Sequence, residues 1–236
     1  MVKNKTQTDR FLTIMLKKID ELPFVNERNA FLLLLAMHIA GVIGLSFVAS
    51  RSLFQSLTPF NLLATAALLL HFEKVKNGKY FLFILSTFLL GYGFEVIGVK
   101  TGVIFGEYTY GATLGLKMLD VPLTIGINWI VLIYITRGVA TQVTKSKWLI
   151  VLLASTLMVL LDLLIEPVAV HFDFWQWDGG HIPIKNYFGW FILSCLIQTV
   201  GLIIYPESNN KLYLRLLVLE FIFFAALNIL LITQTI

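Results

Sequence analysis

The stretch Trp148–Val170, WLIVLLASTLMVLLDLLIEPVAV, decides the fold. Its 23 residues make an α-helix of about 35 Å, enough to cross a hydrocarbon core of about 30 Å. Only Asp162 and Glu166 are charged within it. They stand four residues apart, so they share one helix face about one turn from each other. Acids inside a span are costly, and by default they point to function. Pro167 follows directly and loosens the helix there.

Working outward, six more runs of spanning length appear: Ala30–Ala49, Phe54–Phe72, Tyr80–Val99, Val121–Thr141, Phe188–Tyr205 and Tyr213–Ile232. The composition agrees. The chain is 58% hydrophobic and 14% charged, against roughly 25% charged in a soluble domain. The expected fold is all-α: a polytopic membrane protein of about seven transmembrane helices. Residues 30–236 form one membrane domain, and residues 1–29 a cytoplasmic N-terminal segment. In that segment Phe11, Leu12, Met15, Leu16, Ile19 and Leu22 recur at helical spacing beside Lys17 and Lys18. That is the pattern of an amphipathic helix lying on a membrane surface, with a frayed tail as the alternative. It is not a cleavable signal, because the first apolar run is a full span behind a long charged stretch.

Charge orients the chain. Fourteen Lys and Arg fall in the N-terminal segment and around residues 74–79, 137–147 and 211–215. The opposite side carries four: Arg51, Lys100, Lys117 and Lys185. The N-terminus is therefore expected in the cytoplasm and the C-terminus outside, in the cell membrane. The basic pI of 9.1 reflects loops facing anionic membrane lipid, not nucleic-acid binding. Cys195 is the only cysteine, which leaves no intrachain disulfide or cysteine-based metal site.

Two connections are long, Lys100–Asp120 and His171–Tyr187, and they share a pattern. Phe105, Tyr108 and Tyr110 read F-x-x-Y-x-Y; Phe172, Trp175 and Trp177 read F-x-x-W-x-W. Pro122 then precedes Trp129 by seven residues, and Pro183 precedes Trp190 by seven. Each loop follows a helix with a glutamate near its outer end, Glu95 in the third and Glu166 in the fifth. Helices 3–4 and 5–6 are thus candidates for a parallel internal repeat framing a site between halves. Each Pro also suits the first turn of a helix, and interfacial aromatics are often mere anchors; Trp148 and Tyr213 read that way.

Glu95, Asp162 and Glu166 all lie in the outer halves of their spans, and Asn128 and Asn186 lie near the outer starts of theirs. Carboxyls gathered in a low-dielectric place repel one another. One kept protonated serves as general acid while its neighbour serves as base. The plain alternative is interhelical hydrogen bonding. Glu220 reads as structural, paired with Arg215, and His38 and His71 as lone structural histidines. His171 and His181 lie near Asp173 and Asp178, but their spacing matches no metal-ligand pattern, so no metal is expected.

The stretch Glu95–Tyr110, EVIGVKTGVIFGEYTY, followed by Leu114-Gly115, Val121-Pro122-Leu123 and Trp129, resembles the membrane carotenoid biosynthesis proteins. So do Asp162–Pro167, DLLIEP, then Trp175-Gln-Trp177 and Asn186–Trp190, NYFGW. The resemblance covers residues 88–195. Asp120 stands where that pattern has glycine, and His181-Ile182 where it has Gly-Val. The family includes carotenoid 1,2-hydratases and bisanhydrobacterioruberin hydratases. The resemblance implies water addition across the terminal C1=C2 bond of an acyclic carotenoid end, as in γ-carotene or lycopene, with no cofactor. Glu95, Asp162 and Glu166 would be catalytic. Phe105, Tyr108, Tyr110, Asn128, Trp129, Trp175, Trp177, Asn186 and Trp190 would bind substrate, with aromatic faces stabilising a cation. The partners implied are the carotenoid, membrane lipid and other carotenoid-pathway enzymes.

Two other readings stay open. A small lycopene cyclase-type enzyme would use the same acid but capture the cation with a neighbouring double bond. A non-enzymatic transporter or proton relay would spread its acids across the membrane, whereas these cluster on one side. A retinal photoreceptor would need a Schiff-base lysine, and the last span has none.

Overall fold

The computed structural model describes residues 26–205 and 210–233. The expected surface helix, in residues 11–22, lies outside the described residues. Seven helices follow one another: α1 (Glu27–Ser46), α2 (Val48–His71), α3 (Gly78–Thr101), α4 (Leu123–Val143), α5 (Lys147–His171), α6 (Ile184–Ile204) and α7 (Leu212–Ile232). Each is long and apolar enough to cross a membrane. The chain is a multi-pass membrane protein with little sheet.

Two boundaries differ from the sequence reading. The connection expected after Ala49 is a single residue, Phe47, in extended conformation (φ −94°, ψ 127°) between α1 and α2. Arg51, expected in a loop, lies in α2, where its Nε donates to the Leu45 carbonyl at 3.1 Å. The two long connections are not plain loops either. They contain the short strands β1 (Tyr108–Tyr110), β2 (Lys117–Met118), β3 (Val121–Pro122) and β4 (Trp175–Trp177). Pro122 and Pro183 cap α4 and α6 just ahead of the first turn, where their missing N–H costs nothing.

Helix α4 lies at the centre, touching α2, α3, α5, α6 and α7. Helices α3–α6 form a four-helix bundle, and α1, α2 and α7 close around one side of it. Helices in lipid gain no hydrophobic drive toward each other, so close approach depends on small residues. Gly138 shows this: a Cβ there would come within 2.0 Å of the Tyr213 ring.

At the other end of the bundle from the long loops, the structure corrects three assignments. Arg137, counted as a junction charge, is buried inside α4; its Nη2 donates to the carbonyls of Gly201 (2.9 Å) and Tyr205 (2.5 Å). Tyr213, read as an interfacial anchor, is buried, and its hydroxyl donates to Glu73. Glu220 pairs with His38, not Arg215: Nε2 to Oε1 is 3.3 Å, while Arg215 lies over the Phe31 ring. Trp148 does stand exposed, as an anchor would.

We propose that the face carrying Lys74, Lys76 and Lys79 is cytoplasmic, which makes the face bearing the strands the outer one. A reporter placed between Lys74 and Lys79 should behave as cytoplasmic, and one fused to the C-terminus as external. A cytoplasmic C-terminus would overturn this orientation.

Candidate active site

The two long connections meet. Strand β1 pairs antiparallel with β4: Tyr108 faces Trp177, Thr109 faces Gln176 and Tyr110 faces Trp175. The flanking bonds match as well: Gly111 N–H donates to the Phe174 carbonyl and Asp178 N–H to the Glu107 carbonyl, both at 2.9 Å. Exchanging one loop for the other exchanges these two bonds. The ladder therefore has the symmetry of a two-fold through Thr109 and Gln176. Further down, the repeat-related Trp129 and Trp190 stack on each other, centroids 4.6 Å apart and planes at 27°. Residues that the spacing pattern matches are thus in contact with each other.

Strand alternation sends every second side chain to the same face. Tyr108, Tyr110, Trp175 and Trp177 point in and are buried, while Thr109 and Gln176 point out. The inward rings reach the ends of α3 and α5. Glu95 Oε2 accepts from the Tyr108 hydroxyl (2.5 Å) and the Tyr110 hydroxyl (2.7 Å), and Oε1 accepts from Trp129 Nε1 (3.1 Å). Glu166 Oε2 accepts from Trp175 Nε1 (3.0 Å) and Trp177 Nε1 (2.8 Å). Asn186 Nδ2 bridges the two acids of α5, at 2.7 Å from Glu166 Oε1 and 3.1 Å from Asp162 Oδ2. Each glutamate thus hangs from the polar edges of its own loop's aromatics. Burial, and then the Glu95 carboxyl, hold the Tyr108 and Tyr110 hydroxyls well above the usual phenol range, so both remain protonated donors.

The halves differ one helical turn before each glutamate. Asp162 lies four residues before Glu166; the residue four before Glu95 is Gly91. A Cβ on Gly91 would come within 2.4 Å of the Trp129 ring. One half fills this space with an indole, the other with a carboxyl. Phe105 wedges between Gly98 and Gly189, where added Cβ atoms would approach its ring to 2.5 and 2.8 Å. Phe172, its partner in the pattern, is fully buried under Arg51 of α2. The three carboxyls are sealed, at 2% (Glu95), 0% (Asp162) and 1% (Glu166) exposure.

Beside this cluster lies an apolar cavity of about 470 Å³. Asn128, Phe174 and Trp175 line its end near the strands, and Asn61, His38 and Glu220 line it further from them. Asn128 therefore faces the cavity and stands apart from the carboxyl cluster. None of Glu95, Asp162 and Glu166 lines the cavity. Trp175 connects the two: it lines the cavity, and its N–H donates to Glu166. The ionisable side chains that do line it are His38 and Glu220. The sequence pattern reads each as structural and does not pair them, although each is an ionisable group inside a span, the signal that marks the other acids. His171 and His181 are exposed, and no three His, Cys, Asp or Glu side chains among the described residues gather as a metal site would need.

Asp120, which stands in place of a glycine in the resembling pattern, has φ +67° and pairs with Lys100. Glycine suits a left-handed position, and aspartate is among the side chains that tolerate it.

Residues 57–236 match the profile of a family described as carotenoid biosynthesis protein. The chain is also 35% identical over 115 residues to a protein named bisanhydrobacterioruberin hydratase from Haloarcula japonica. That alignment covers 44% of this chain and 38% of the relative, so the chain spans well under half of it. No solved structure matches the chain.

The donors on Glu95 give a stability test. Tyr110→Phe removes one hydrogen bond to a buried carboxyl, a loss of up to about 3 kcal/mol. At about 2–4 °C per kcal/mol for a chain of this size, Tm should fall by several degrees, with Thr109→Ala on the outward face nearly silent. Equal melting of the two variants would mean that the phenols do not hold the site.

Proposed function

Because the chain belongs to the carotenoid biosynthesis protein family, we propose that it is a carotenoid hydratase adding water to the terminal C1=C2 bond of an acyclic end group. The observation that carries this reading is a set of buried carboxyls, held by aromatic donors, next to an apolar cavity open to a lipid-soluble ligand. The name of the relative supports it. A cavity of this size takes a drug-sized body, so it would receive one end of the polyene and leave the rest in the bilayer.

The chemistry needs an acid, a shelter for a cation and a water. A protonated carboxyl gives its proton to C2, which leaves a tertiary cation at C1. Water attacks C1, and its surplus proton returns to the carboxylate. No redox step is involved. Trp175 lines the cavity while its N–H rests on Glu166; in this reading its face meets the cation and its edge the acid. In this reading Glu95 or Glu166 is the acid, and Asp162 tunes it or positions water. The acid reaches the polyene end only if the Trp175 indole gives way, and the cavity itself favours a second candidate acid, Glu220 with His38. A lycopene cyclase-type enzyme and a proton relay remain the competing functions.

Expression in cells that make lycopene or γ-carotene separates these readings. A hydratase yields pigment heavier by one water, a cyclase yields an isomer, and a relay leaves the pigment unchanged. At matched protein levels, Glu95→Gln or Glu166→Gln should lower hydration by about 10²- to 10⁴-fold, the usual contribution of a positioned acid. Trp175→Leu should cost about thirtyfold, as for a desolvated cation–π contact of about 2 kcal/mol. Near-normal hydration by both glutamine variants, with loss in Glu220→Gln, would move the acid to the cavity pair.

A further inference from the structure

Buried polar atoms in folded proteins are nearly always paired. In this chain a group of them is not, and the group is confined to the four-helix bundle. Thr87 Oγ1, Ser155 Oγ, Asp162 Oδ1 and Ser194 Oγ find no hydrogen-bond partner among the described residues. Nor do Gln198 Oε1, the Tyr134 hydroxyl, and Nε and Nη1 of Arg137. All of these residues belong to α3, α4, α5 or α6, and none to the three helices outside the bundle. Thr87, Ser155, Asp162, Ser194 and Gln198 have no exposure at all.

Their positions form a descending series. Ser155 lies seven residues inward of Asp162, and Thr87 eight inward of Glu95. Ser194 lies eight inward of Asn186, which holds Asp162. At about 1.5 Å per residue these three hydroxyls share a tier about 10–12 Å below the carboxyls. One turn further in, Gln198 Nε2 donates to Thr136 Oγ1 and to the Ile133 carbonyl, both at 3.2 Å. Then comes Arg137, at the end of the bundle proposed to be cytoplasmic, bound to the Gly201 and Tyr205 carbonyls.

Hydroxyls, an amide oxygen, a carboxyl oxygen and guanidinium N–H groups need a partner that both donates and accepts. In a close-packed core it must also be very small. Water meets both conditions. We infer that the bundle core holds an interrupted file of buried waters, at Arg137 and Gln198, at the hydroxyl tier and at Asp162 Oδ1, and that exchange along this file supplies the water consumed at C1. The second half of this inference rests on the hydratase reading. The supply is needed because the outer side of the carboxyls is closed by the paired strands, and the polyene arrives from lipid. Asp162, whose Oδ1 ends the file, is then the residue that presents water, while the neighbouring glutamate handles the proton.

Thr87→Val and Ser194→Ala keep the local shape and delete the polar atom. In a dry core each removes an unpaired group, so Tm should rise by about 2–4 °C with turnover unchanged. With a water file, each should lower Tm by a similar amount. Each should also reduce hydration about tenfold, about one hydrogen bond's worth of stabilisation, at unchanged polyene binding read from the absorbance of bound pigment. Thr87→Ser, which keeps the hydroxyl, should retain the wild-type rate. A rise in Tm in both variants overturns the file. A fall in Tm with undiminished turnover overturns its role as supply. If the wild-type protein yields no hydrated pigment, the hydratase reading and the supply role fail together, and the file is judged on Tm alone.

Discussion

Two glutamates near the strand-bearing ends of two helices depend on N–H and O–H donors that their own helices do not provide. A carboxyl in a span is cut off from bulk water, and an isolated one is expensive. The β1–β4 ladder meets this need. It brings two phenols to Glu95 and two indoles to Glu166, and it does so only because the strands meet in one register. A shift of either strand by one residue would turn its two rings outward. The single-residue precision of this pairing, with the matched bonds at its ends, positions the rest of the site. Pro122 and Pro183 start the next helices at equivalent points, and Trp129 and Trp190 then meet face to face.

Symmetry supplies the frame, and its breaks supply the chemistry. A site built from two identical halves would hold two equivalent acids. Here the place of Asp162 is taken in the other half by Gly91 and the Trp129 ring, and Asn186 binds both acids of α5. One glutamate is surrounded by aromatic donors alone, the other by indoles, an amide and a second carboxyl. Carboxyls in unlike environments divide acid and base roles between them. The cavity is also one-sided, running along α1, α2 and α7 and touching the cluster through Trp175.

Much of this was legible in the sequence. The seven spans follow from run length alone, and the repeat follows from the seven-residue step between Pro and Trp and the paired aromatic triplets. What stayed hidden was contact between distant segments. Three-residue strands carry too little periodicity to announce a ladder, and nothing in an aromatic triplet says whether a ring offers its face or its N–H. The sequence reading had the four rings as cation-stabilising faces; the structure shows their polar edges holding carboxyls. Partner choice across the bundle was equally invisible. Arg215 is the near neighbour of Glu220 along the helix, yet His38, 182 residues away, is the one that binds it. Arg137 and Tyr213 look like ordinary interfacial residues in one dimension and are buried by the crossing of α4, α6 and α7.

The account stands on the two loops being joined in the working protein. With Cys195 replaced by Ala, the pair Thr109→Cys and Gln176→Cys tests this directly. Directly opposed residues in an antiparallel pair lie within disulfide reach, and both positions face outward. Mild oxidation should link the two thiols within one chain, as read by mass analysis of the joined peptides, and the linked protein should convert pigment as the reduced one does. Thiols that stay free, or a link that forms only with loss of conversion, would contradict a site held together by the paired strands.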